Sequence, residues 1–140
     1  MALGSFNNWA KVAAALKPAC AEVVKETAFD CQDAIAAQIS ANGQIDTGFM
    51  YSSVYNVTAD GSTYGQAQTP PGDSYLLPEV EAPPNDQEAY FAVGANYGIF
   101  QNYGTRFLPA RPFFEPGVER VRPEFDAKVA SLEDRIRARI

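Results

Sequence analysis

Between residues 19 and 40, apolar side chains recur at Val24, Ala28, Cys31, Ile35 and Ile39, in steps of three and four. Glu22, Lys25, Asp30 and Asp33 fall largely elsewhere, so the period writes one apolar stripe along one helix. A stripe of this length has to be covered, and the rest of the chain must supply the layer that covers it. Asn42-Gly43 closes the helix as a C-cap. Ahead of it, Phe6, Trp9, Val12 and Leu16 predict a short opening turn. That turn gives way at Pro18, a residue suited to the first position of a new helix.

Past the cap the period becomes two. Residues 49–57 read as a strand, with Phe49, Tyr51, Ser53, Tyr55 and Val57 on one face and Met50, Ser52, Val54 and Asn56 on the other. Asp60-Gly61 signals a hairpin turn, with a second strand over 63–68 and a further one over 89–93. Residues 69–85 hold five of the ten prolines, several acids and no basic residue. That composition predicts a long loop, either mobile or ordered by a partner rather than by its own core. Residues 115–140 read as helix, with Pro123 either kinking it or starting another. Arg135, Arg137 and Arg139 suit a helix C-terminus. The expectation is one domain over 1–140 of α+β class: a long N-terminal helix whose Val24, Cys31 and Ile35 face packs on a small mixed or antiparallel sheet, and a C-terminal helix.

Two cysteines and no histidine narrow the chemistry. Cys20 and Cys31 would sit about 16 Å apart along one helix, beyond the roughly 7 Å Cα spacing a disulfide tolerates. They read as small core residues of a protein made in a reducing cytoplasm. Without imidazole or clustered thiols, the usual zinc sites and histidine-based triads are excluded, and no metal or cofactor is expected. A net charge of −6 argues against broad electrostatic wrapping of nucleic acid, while acidic walls suit a conduit through which DNA passes without sticking. No apolar run approaches the roughly 18 residues of a membrane span, and no membrane partner is expected. The opening residues also lack the basic-then-apolar order of a secretory leader.

Three motifs carry possible chemistry. Asp46-Thr47-Gly48 is the tripeptide of aspartic proteases, in which two such loops of a dimer share one proton between paired carboxylates. Here a large Phe49 follows and no apolar strand precedes, and Asp46 can instead organise an Asx-type turn with Gly48 supplying backbone freedom. Residues 94–98 lack either glycine pattern that cradles phosphate. Residues 97–116 combine aromatic residues with Arg106 and Arg111, two glycines and three prolines. Tyr97, Phe100 and Tyr103 have helical spacing, Gly104 reads as a left-handed C-cap, and Pro109 and Pro112 hold the exit extended. Aromatic and arginine residues on a pre-ordered segment are the composition of protein–protein hot spots, which makes Arg106, Phe107, Arg111 and Phe114 candidate interface residues. The alternative for each arginine is an acid on its own subunit.

The order of these motifs resembles the minor tail or neck proteins of tailed phages, the tail-completion and head–tail joining proteins. The resemblance rests on Asp46, Thr47, Gly48, Phe49 and Ser52, then on Tyr97, Phe100, Tyr103, Gly104, Thr105, Pro109, Pro112 and Phe113, behind a helix of suitable length. Where that family commonly has a glutamate just before its Tyr-Gly-Thr, this chain has Asn102, and its proline-rich loop is longer. The resemblance implies a non-enzymatic virion component, made in the host cytoplasm and located in the neck at the head–tail junction. It would form a homo-oligomeric ring, taken as a hexamer, that terminates the tail tube and meets both the tail tube protein and the head-closure or connector protein. DNA would pass through its lumen without sequence-specific binding. The alternatives are a dimeric aspartic protease using Asp46 and a generic intracellular adaptor domain.

Overall fold

The structure, a computed structural model, describes residues 9–140; Phe6, assigned above to an opening turn, lies outside them. The chain is α+β, in the order α1 (Trp9–Ala41), α2 (Phe49–Ser52), β1 (Val54–Thr58), β2 (Gly61–Ser62), β3 (Tyr90–Val93), α3 (Gly98–Tyr103), α4 (Phe114–Ala130) and α5 (Leu132–Arg137). The three strands form one antiparallel sheet in the order β2-β1-β3, with Val54 opposite Val93 and Thr58 opposite Gly61. α1 packs on β1 and β3 as well as on α4 and α5. Its inward residues are Ala15, Ala19, Val23, Ala28, Cys31, Ile35 and Ile39, so Val23 takes the buried place that spacing assigned to Val24. Ile35 and Ile39 meet Phe49, Met50, Val54, Ala95 and Phe113 in the core.

Several local expectations are corrected. Pro18 does not start a helix but lies within a continuous α1. Its ring removes the bond to the Ala14 carbonyl, and because both residues are exposed, water can hydrate the freed group. Pro123 is likewise exposed and carried inside α4; the helix breaks instead at Ser131. Residues 49–52 form a helical turn rather than a strand. Gly48 adopts a φ of +81°, and the Ser52 hydroxyl donates back to the Gly48 carbonyl at 2.6 Å. That turn buries the consecutive residues Phe49 and Met50, which an extended strand would have sent to opposite faces. The strand expected over 63–68 is reduced to Gly61–Ser62, since Gly65 turns the chain away with a φ of +91°.

The proline-rich loop is partly held by its own domain, against expectation. Leu76 bridges Ala95, the Leu77 N–H donates to the Gly94 carbonyl at 2.7 Å, and the Val80 N–H donates to the Tyr55 hydroxyl at 3.2 Å. The last of these contacts reaches β1, all five of whose residues are buried.

α5 docks by charge, having no buried residue. Arg135 reaches Glu22 at 2.6 Å and Glu26 at 2.5 Å, Arg139 also pairs with Glu22, and Lys128 of α4 pairs with Asp30. Of the arginines expected at a helix C-terminus, Arg135 and Arg139 are therefore the clamp on α1. The hydrogen bond from Arg139 holds Glu22 below the ordinary value of 4.5, and that from Arg135 does the same for Glu26. A depressed folded-state value gives stability that is present above the ordinary carboxylate range and lost as pH falls through it. Protection of the Leu132–Arg137 amides, relative to their intrinsic exchange at each pH, is accordingly expected to fall as pH drops through the lowered carboxylate range and to fall with added salt, before the core opens. Equal protection of α5 at neutral and acid pH would show that the clamp does not hold it.

Candidate interaction surface

The Asp-Thr-Gly turn and the 97–116 segment, distant in sequence, meet in space. Phe49 lies 6.1 Å from Tyr97, ring centre to ring centre. The Gln44 side-chain amide donates to Gln101 Oε1 at 3.3 Å and to the Arg111 carbonyl at 3.2 Å. Burial, with the Asp46 charge adding to it, pushes the Tyr97 hydroxyl up, so it stays neutral at the junction. Asp46 itself is exposed and its carboxylate takes no hydrogen bond among the described residues; the Asx turn assigned to it is replaced by Thr47 Oγ1, which accepts from the Phe49 N–H at 3.4 Å, and by the Gly48 backbone.

Asn102 is the hub of the segment. Only 4% exposed, it accepts at Oδ1 from the Phe113 N–H at 2.9 Å and the Phe114 N–H at 3.0 Å, and donates from Nδ2 to Glu115 at 3.1 Å. A side chain from α3 thus caps the first turn of α4, a task normally given to the residue just ahead of a helix. Tyr103 donates to the other Glu115 oxygen at 2.7 Å. These two hydrogen bonds hold the Glu115 carboxyl below its usual range.

Between the two helices the chain forms a braced loop. Gly104 has φ +78° and ψ 175°, so it is not the left-handed cap expected but an extended conformation open almost solely to glycine. A Cβ there would lie 2.6 Å from the Ala110 nitrogen and 2.8 Å from the Leu108 carbonyl oxygen. Thr105 closes the loop: its N–H donates to the Leu108 carbonyl at 2.7 Å, and its hydroxyl accepts from Phe107 and Leu108 at 3.1 and 3.0 Å. Pro109 and Pro112 lie on the exposed return strand without regular structure.

Of the four candidate interface residues, Phe107 is the most exposed, at 88%, and the Arg106 guanidinium sits over its ring at 5.4 Å. Arg111 is committed to its own chain, donating to the Asn42 carbonyl at the end of α1, while its N–H donates to Gln101 at 3.0 Å. Phe114 is half-buried and stacked on Phe91 at 5.7 Å. Residues outside the four interface candidates complete the surface: Ile99, not singled out from sequence, and Phe100 and Tyr103, noted there for their helical spacing, stand out from α3 at 60%, 52% and 65% exposure. Beside them runs an apolar groove of about 230 Å³, walled by Leu77, Val93, Ile99, Tyr103, Phe113 and Phe114. Ile99 and Tyr103 are one helical turn apart, a spacing that could have marked this face. Asn102 gave a fainter signal, as a lone amide among aromatic residues.

Among the described residues no cluster of three or more His, Cys, Asp or Glu is arranged to hold a metal, and no helix is long and apolar enough to cross a membrane. Both cysteines are free, with Cys31 buried. Comparison with models of protein families, with curated proteins and with solved structures finds no match.

Proposed function

We propose that this chain is a structural subunit of a tailed-phage neck, forming a ring that terminates the tail tube and joins it to the head connector. The observation that carries the reading is the braced 104–108 loop, which holds Phe107 almost fully in solvent beside the bare apolar face of α3. Exposed aromatic and apolar side chains on a rigid support form an association surface, because docking them costs little conformational entropy. The order of the sequence motifs supplies the phage context. The net charge of −6 accords with a lumen that lets DNA slide past.

Native mass spectrometry of the purified protein, and labelling of the protein in phage particles, test the proposal together. A single closed oligomer and label at the head–tail junction are the expected results. A strictly monomeric protein with no label in particles would overturn it. Peptide cleavage at acid pH that is abolished by Asp46→Asn would replace it with the dimeric protease.

A further inference from the structure

The loop and the groove are each unfilled on their own chain. Phe107 is not among the residues that wall the groove, and its ring touches little beyond the Arg106 guanidinium. Two charges accompany them. Arg106, next to the exposed ring, makes no ion pair among the described residues. Glu115 also makes none, and its carboxylate lies at the groove rim, held by Tyr103 and Asn102, both groove residues. One patch thus carries an aromatic side chain with a positive charge, and another carries an apolar slot with a negative one.

We infer that Phe107 of one copy seats in the groove between α3 and α4 of a second copy, with Arg106 meeting Glu115. This rests on the reading of the chain as an assembling subunit and names the contact that builds the assembly. Because knob and slot are different patches, the contact is heterologous, and each copy can engage two neighbours. Aromatic and arginine side chains are the usual anchors of such contacts, and a charge pair at the rim fixes the register. The Thr105 bonds keep the knob in place before docking.

Complementation with the full chain tests this. Phe107→Ala removes the knob and leaves the slot, while Ile99→Glu spoils the slot and leaves the knob. Both positions are well exposed, so both variants should fold. Measured by analytical ultracentrifugation, each variant alone is expected to stay monomeric, whereas their equimolar mixture forms a one-to-one pair and nothing larger. Arg106→Glu in the knob-bearing partner should weaken that pair about tenfold, an effect that fades with salt. Oligomers from either variant alone, matching those of the unmodified protein, would overturn the contact while leaving the ring intact. A mixture that does not pair would also overturn it. If the unmodified protein itself never associates, the assembly reading falls, and this contact with it.

Discussion

Replacing Asn102 by leucine is expected to lower the unfolding free energy by about 3 kcal/mol. The change removes both acceptor bonds at the start of α4, and losing a cap alone typically costs about 0.5–2 kcal/mol. The larger part comes from what is left behind. Phe113 is only 1% exposed, so its N–H would have no water to turn to, and a buried donor without a partner costs about 1–3 kcal/mol. Leucine fills the space and keeps solvent out. Asn102→Asp separates the two functions: its carboxylate still accepts from the two N–H groups but now faces Glu115, where Nδ2 had donated at 3.1 Å. Two carboxylates sharing one site push one of them up. Relative to the parent, that variant should therefore fare best at acid pH and lose stability as pH rises through the raised value. Urea melts of the three proteins across pH decide the matter. A leucine variant as stable as the parent would show that Asn102 does not cap α4.

The second large effect is expected at Gly117, where α4 crosses α1. A Cβ at this position would stand 2.8 Å from Ile35 Cα and 3.0 Å from its nitrogen, and neither backbone atom can step aside. Alanine gains about 1 kcal/mol of helix propensity over glycine, which offsets part of an overpacking cost of about 1–3 kcal/mol. Gly117→Ala should therefore be only mildly destabilising. Valine adds two further methyl groups against Ile35 with no comparable propensity gain, and Gly117→Val should cost about 3 kcal/mol or more. With a domain stability on the order of 5–15 kcal/mol, that is enough to lower the melting temperature by several degrees. A valine variant that melts with the parent would mean that the helices do not approach this closely.

How much of this could be read from the chain depends on how local its cause is. The stripe through Cys31, Ile35 and Ile39 fixes a helix by its own period, and the Tyr90–Val93 strand carries its own aromatic and β-branched signal. The start of α1 was misread because the effect of Pro18 depends on whether its side faces water, which no local pattern reveals. Phe49–Ser52 has strand-like composition, yet a glycine with positive φ and a serine bonding backward turn it into helix. The surface divides in the same way. Phe107 was legible as an exposed aromatic on a rigid segment. Arg111 was not, since its partner is the end of a helix some seventy residues earlier. The cap by Asn102 is likewise a tertiary fact, because the backbone N–H groups it accepts from lie eleven and twelve residues ahead.

The clamp that joins α1 to α4 and α5 has a consequence for how the protein is made. Lys128 and Asp30, which pair in the finished fold, are separated by 98 positions. At about 5–20 residues per second, the ribosome needs roughly 5–20 s to deliver the second partner after the first. Throughout that interval α1 can be fully formed while its Cys31, Ile35 and Ile39 side still awaits Phe113 and Val121. Phe49, Met50 and Val54 can cover part of Ile35 and Ile39 early, but the part that α4 packs on stays open until that helix is made. The nascent chain thus keeps this strip of α1 open until α4 has left the ribosome, an adhesive interval set by the spacing of the two helices.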